Sequence, residues 1–96
     1  MKPVKTTVWD PAKYLETDEE IIAYLEDIFK SGDPELIIVA IGDVARAQGM
    51  SKIAGDTNRG RESLYKSLSQ NGNPSFETVM KVLSSLGIGL KPALTS

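Results

Sequence analysis

Cationic side chains are concentrated in one short part of this chain. Four of the eleven lysines and arginines lie between residues 50 and 69, among hydroxyl and amide side chains. Such donors bind phosphate oxygens and the edges of DNA bases, so the segment has the chemistry of a nucleic-acid contact. The candidate residues for this contact are Ser51, Lys52, Arg59, Arg61, Glu62, Ser63, Tyr65, Lys66 and Asn71.

These residue types fit different targets on a duplex. Arg61 suits the two acceptors of a guanine edge, a pairing that discriminates between bases by about 1–3 kcal/mol. Glu62 can accept from a cytosine amino group, and Ser63 and Lys66 fit a base or a phosphate. Phosphate contacts are expected from Lys52, Arg59 and the backbone amides near Ser51 and Asn71.

Each assignment has an alternative that needs no DNA. Arg61 can pair with a neighbouring acid or stay solvated, and Glu62 can stabilise its helix by pairing with Lys66. The ring of Tyr65 can lie on a sugar-phosphate backbone or pack beside Leu68. The residue types alone leave these alternatives open.

Two short helices joined by a tight turn are the elements that must position these donors. We expect Ser51 to cap the first helix and Asn58 to take the left-handed conformation of the turn. The second helix then begins near Gly60 and buries Leu64 and Leu68, which share one face. The pattern predicts a helix-turn-helix over residues 50–69, although an ordinary helical hairpin has the same spacing.

The charge distribution favours the helix-turn-helix. Residues 1–48 contain five Lys or Arg and ten Asp or Glu, whereas residues 49–96 contain six Lys or Arg and three Asp or Glu. The net charge is therefore −5 in the first half and +3 in the second. The overall charge of −2 argues against a protein that coats nucleic acid indiscriminately, but a local basic patch can still bind phosphates.

Composition excludes several classes of function. The 96 residues predict a single domain spanning 1–96, and the absence of cysteine and histidine removes disulfides, thiolate chemistry and the commonest metal ligand. We expect no enzyme, no cofactor and no metal site, and we attribute the acidic run 18–20 to a helix N-terminus. The longest apolar stretch, residues 36–41, is too short for a signal peptide or a bilayer span, which predicts a soluble cytoplasmic protein.

Helix start and stop signals divide the rest of the chain. Residues 1–17 form a lead-in, and Thr17 with Glu20 predicts a capping box before a helix that Gly32 ends. Further start signals are Asp33-Pro34 and Ser75, and further stop signals are Gly49 and Gly87. The inward residues are expected to be Ile21, Ile22, Leu25, Ile28 and Phe29 in the first helix and Phe76, Val79, Val82, Leu83 and Leu86 in the last. Five helices predict an all-α, phage-repressor-like domain, with residues 88–96 as a short strand or an extended arm.

Several stretches resemble one known family, the HigA-like antidotes of addiction modules, which carry a phage-repressor helix-turn-helix. The matching stretches are AIGDVARAQGMS at 40–51, RESLYKSLS at 61–69, GNPSFETV at 72–79, Leu86-Gly87, and Trp9-Asp10 with Tyr14-Leu15 in the lead-in. The chain departs from the family at the turn, where Asn58-Arg59-Gly60 replaces a glycine, an apolar residue and a serine.

The resemblance implies an antitoxin of a type II toxin-antitoxin module. Such a protein is a homodimer that binds a palindromic operator in double-stranded DNA, represses its own operon and neutralises a RelE-like toxin by complexation. Toxin or dimer contacts are expected from Trp9, Tyr14, Ile88 and Leu90, although these residues can also cover the chain's own core. The alternatives are a stand-alone helix-turn-helix regulator and a protein-interaction module that does not read DNA.

Overall fold

Five α-helices with short connections make up the part of the chain that the structure, a computed structural model, describes, residues 15–95. They are α1 (Asp18–Lys30), α2 (Pro34–Gln48), α3 (Met50–Thr57), α4 (Arg61–Ser67) and α5 (Phe76–Ser85). The all-α prediction is confirmed. No strand forms within residues 15–95, so of the two predicted alternatives for the tail, a short strand or an extended arm, the strand is absent from residues 88–95 and the arm remains.

Helices α1, α2 and α5 begin and end at the predicted signals. Thr17 and Glu20 form the capping box of α1, with both hydrogen bonds 3.1 Å long. Ser75 caps α5 by accepting from the backbone N–H of Thr78 at 3.1 Å. Gly32 has a φ of 68°, which glycine adopts without strain and which reverses the chain between α1 and α2.

Packing is organised around α2 and α3. Helix α1 packs on α2, α2 on α3, and α3 on both α4 and α5. Residues 40–45 are all buried, so the middle of α2 is enclosed on every side. The largest fully buried side chains come from α2, α3, α4, α5 and the loop after α4: Ile41, Val44, Ile53, Leu64, Leu68, Val82 and Leu83.

Gly42 allows a close approach between α2 and the end of α4. A Cβ atom at this position would lie 2.3 Å from the carbonyl oxygen of Leu68, directly after α4. Real Cβ atoms do not come so near a backbone oxygen, so any side chain would push the end of α4 away from α2. The glycine therefore helps to fix the position of α4 on the body of the domain.

Two predicted core residues are exposed. Ile22 is 43% exposed because α1 packs on α2 through a narrow stripe centred on Ile21 and Leu25. Phe76 is 71% exposed although it lies on the same side of α5 as the buried Leu83. Phe76 is the first residue of its helix, and at this end of the molecule the neighbouring helices leave an open groove instead of covering it.

Within residues 15–95, no helix is long and apolar enough to cross a lipid bilayer.

Candidate nucleic-acid interface

Helices α3 and α4 are joined by a tight turn at Asn58. Asn58 has φ 58° and ψ 40°, the left-handed conformation that the sequence predicts for it. Its N–H donates to the carbonyl of Gly55 at 3.3 Å, and the N–H of Arg59 donates to the carbonyl of Ala54 at 3.1 Å. These two bonds satisfy two of the last four carbonyls of α3 and redirect the chain into α4, whose N-cap is Gly60.

The start of α3 differs from the prediction. Gly49, with a φ of 108°, is the N-cap, and Ser51 lies inside the first turn of the helix, where it does not cap. The prediction that Ser51 is the cap is therefore wrong by two residues. The cause is that Gly49 is both the C-cap of α2 and the N-cap of α3. No separate residue is left between the two helices for a side-chain cap.

Helix α4 is held to the body by the two predicted leucines. Leu64 and Leu68 are 1% and 0% exposed. The hydroxyl of Thr57, at the end of α3, is buried and donates to the carbonyl of Ile53 at 2.8 Å, which satisfies this polar group beneath the turn. One face of α4 is thus fixed, and its other faces are left to solvent.

The exposed faces of α4 carry the predicted contact residues. Arg61, Glu62, Ser63, Tyr65 and Lys66 are all exposed. The guanidinium of Arg61 donates through Nη1 to the hydroxyl of Ser51 at 3.0 Å, so these two predicted residues meet across the two helices. Within residues 15–95, Arg61 forms no ion pair with an acid, and Glu62 forms none with Lys66. The two alternative roles that depended on these ion pairs are therefore not observed in this part of the chain.

Lys52 lies in a separate polar network on α3. Its Nζ atom lies 2.7 Å from the carboxylate of Asp56 one turn later, and the same carboxylate accepts from Ser85 of α5 at 2.6 Å. The hydrogen bond from Lys52, followed by that from Ser85, lowers the pKa of Asp56. The sequence analysis missed Asp56 and Ser85, although the i, i+4 spacing of Lys52 and Asp56 was a visible signal for their pair.

Arg59 is less accessible than the phosphate contact that the sequence predicts for it. It is half-buried, and its Nε atom is enclosed without a hydrogen-bond partner in the described part of the chain. It follows the left-handed residue of the turn, the position whose side chain normally packs back on the preceding helix. Arg59 therefore occupies the place of the family's apolar residue.

The remaining predicted residues are more distant in sequence from α4 or fall outside the described part. Asn71 is exposed in the loop after α4, Ile88 is half-buried, and Leu90 lines the apolar groove near Phe76. Trp9 and Tyr14 lie outside the described residues. The geometry thus brings together Ser51, Arg61 and the exposed faces of α4, and it places Lys52 in a different network.

The fold and this surface define an all-α domain of the helix-turn-helix type. Its first short helix lies against the body, and its second is anchored by leucines and exposes a polar, partly cationic face. Residues 5–94 match the family model described as "Probable addiction module antidote protein". The chain belongs to this family.

The chain is also similar to a curated protein whose name gives no function. The chain is 50% identical over 80 residues to an uncharacterized protein of Haemophilus influenzae strain KW20/Rd. The alignment covers 83% of this chain and 82% of that protein. No solved structure matches the chain.

Proposed function

We propose that this protein is the antitoxin of a type II toxin-antitoxin module, that it represses its own operon as a DNA-binding homodimer, and that it neutralises a RelE-like toxin by complexation. Membership of the antidote family supports the first part, because an antidote implies a toxin partner and a regulatory protein rather than an enzyme. The observation that carries the DNA-binding part is the exposed face of α4, with Arg61 held against Ser51.

Arg61 is the best candidate for reading a base. A guanidinium group has five N–H donors in a planar fork, and the bond to Ser51 uses one of them. The other donors remain for the two acceptors of a guanine edge. Because Ser51 restrains the side chain, less conformational entropy is lost when Arg61 binds.

The partner surface for the toxin is proposed on the acidic side of the molecule. Residues 16–27 contain six acids and no base, and all six acids are exposed. A cationic toxin would be attracted to this surface over a long range. The same surface also suits a protein-interaction module that does not read DNA, so binding to the operator separates the two candidate functions.

The test for DNA binding is a gel shift with the region upstream of the protein's own operon, followed by selection from a randomised pool. The native chain should select a palindrome with half-sites about 34 Å apart. Arg61→Ala should lose about 1–3 kcal/mol of discrimination at one base position and keep weak general binding. The matched control is Lys30→Ala, which removes a cation from α1 and should select the same operator as the native chain.

Three results would contradict this proposal. If Arg61→Ala selects the same operator with the same preference, α4 is not the recognition helix. If the native chain binds no duplex at low ionic strength but is purified with the product of the neighbouring gene, the protein is an interaction module. A chain that binds its operator and has no neighbouring toxin gene is a stand-alone regulator.

A further inference from the structure

An apolar groove lies at one end of the molecule. It runs between the end of α1, the first half of α2, the start of α5 and the tail, and its volume is about 240 Å³. Every residue that lines it is apolar, including Phe29, Ile37, Ile38, Val79 and Leu90. A groove without polar groups offers no hydrogen bond to a charged or polar ligand, so apolar side chains are the groups that fit it.

An aromatic side chain projects beside this groove. Phe76 forms part of the rim and is 71% exposed, and Leu90 on another side is 43% exposed. The surface therefore presents a projecting ring next to an apolar depression. Such a surface is complementary to itself, because a two-fold axis places the ring of each copy over the depression of the other.

The charges around the groove favour a second copy over a strongly charged partner. The charged residues adjacent in sequence to its lining are three acids and two bases: Lys30, Asp33, Glu35, Glu77 and Lys91. Two copies that meet at this groove therefore bring both acids and bases together, and not charges of a single sign. Contact between two copies of the acidic segment 16–27 would instead oppose two sets of six carboxylates, which repel each other.

The groove is also near the end of the proposed recognition helix. A Cβ atom on Gly72 would lie 2.0 Å from the carbonyl oxygen of Ser67, so the loop after α4 folds back on the end of that helix. The chain from Gly72 to Phe76 spans at most about 14 Å. Two copies joined at Phe76 therefore keep both α4 helices near the two-fold axis, within reach of half-sites about 34 Å apart.

We propose that this groove, with Phe76 at its rim, is the surface through which two copies of the chain form the homodimer. Phe76 of each subunit packs against Ile37, Ile38 and Val79 of the other. This inference deepens the proposed function, since it rests on the idea that the protein acts on DNA as a dimer. It assigns that dimer to a particular surface that leaves the exposed faces of α4 free.

Sedimentation equilibrium of the full chain without DNA tests the inference. The native protein should be dimeric at micromolar concentration, and Phe76→Ser should raise the dimer dissociation constant more than about tenfold, as the loss of a central aromatic contact does. Leu90→Ser is a second probe of the groove and should weaken the dimer in the same direction. Ile22→Ser is the matched control, because it removes an exposed apolar side chain outside the groove. Thermal unfolding verifies that each variant is folded.

The sedimentation and binding results decide whether the groove is the dimer surface. A monomeric native chain, or a dimer that Phe76→Ser and Leu90→Ser leave unchanged, overturns the inference. A monomeric native chain whose binding to the toxin is lost in Phe76→Ser also overturns it and makes the groove a toxin site. A dimer that is lost in Phe76→Ser and binds no DNA supports the surface and refutes the proposed repressor. Folded Phe76→Ser protein should still bind a single half-site but lose cooperative binding to the palindrome.

Discussion

Asp43 is a buried carboxylate in the middle of α2, and two side chains satisfy it. The hydroxyl of Tyr24 donates to Oδ2 at 2.8 Å, and the guanidinium of Arg46, almost one turn later, binds Oδ1. A charged carboxylate that is buried without such partners destabilises the folded state strongly. The bond from Tyr24 therefore ties α1 to α2 as well as satisfying the charge.

Replacing Tyr24 by phenylalanine should destabilise the protein by about 1–2 kcal/mol, because a half-buried hydrogen bond to a charged group is lost and the ring is kept. Urea denaturation at neutral pH measures the change. Tyr65→Phe is the matched control, because it removes the same hydroxyl from an exposed ring on α4 and should change stability by less than about 0.5 kcal/mol. Equal effects of the two variants would show that the Tyr24–Asp43 bond does not stabilise the fold.

Glu20 makes stability depend on pH at the start of α1. The backbone N–H of Thr17, followed by that of Glu16, donates to its carboxylate and lowers its pKa below the ordinary value of 4.5. A lowered pKa in the folded state means that the stabilisation is complete above pH 4.5 and is lost as the pH falls through the lowered value.

Glu20→Gln should therefore lose less stability than the native chain between pH 5 and 3, because glutamine keeps an acceptor without the titrating charge. The measurement is the thermal midpoint at several pH values in that range. Glu19→Gln is the matched control, because it removes a carboxylate from the same turn and leaves the capping box intact. The idea fails if Glu20→Gln and the native chain have parallel pH profiles.

Two glycines in helices give opposite predictions for the same substitution. Gly55 lies in α3 with open space where a Cβ would be, so Gly55→Ala should stabilise the protein by about 0.5–1 kcal/mol by restricting the unfolded chain. Gly42→Ala should destabilise it by about 1–3 kcal/mol, because the methyl group meets the carbonyl oxygen of Leu68. Chemical denaturation of both variants tests the pair, and changes of the same sign would contradict the packing of α2 against the end of α4.

The elements themselves could be predicted from sequence because their signals are local. The capping box at Thr17, the left-handed Asn58 and the cap at Ser75 each depend on residues within one turn of the chain, and all three predictions are confirmed. Ser51 was misplaced because two adjacent helices share Gly49 as a boundary. A local rule does not distinguish that arrangement from a separate cap.

Features that depend on distant parts of the chain could not be predicted in the same way. Periodicity shows which side of a helix is apolar, but it does not show where neighbouring helices stop, so Phe76 was expected inside. The Tyr24–Asp43 bond joins residues 19 positions apart, and no local pattern marks it. The contact of Arg61 with Ser51 likewise depends on the angle between α3 and α4, which the turn sets and the residue types do not reveal.

At the scale of the whole molecule, charge is separated along the chain. The first 48 residues carry a net charge of −5 and the rest +3, so an acidic α1 side and a weakly basic helix-turn-helix coexist in a molecule of net charge −2. An acidic body repels DNA wherever the basic face is not turned toward it. In the proposed operator complex, the separation would therefore favour one orientation on the duplex and would leave the acidic side available for the proposed cationic toxin.

The proposed operator binding should weaken steeply as the salt concentration rises. The logarithm of the association constant should fall linearly with the logarithm of salt concentration, with a slope of about −0.9 for each phosphate that the dimer neutralises. Lys66→Ala removes one proposed phosphate contact from each subunit, so the slope of the dimer should become shallower by about two. Fluorescence anisotropy with a labelled operator at several salt concentrations measures this. Lys91→Ala, which removes an equal charge from the tail, should leave the slope unchanged, and equal slopes for all three proteins would place Lys66 away from the phosphates.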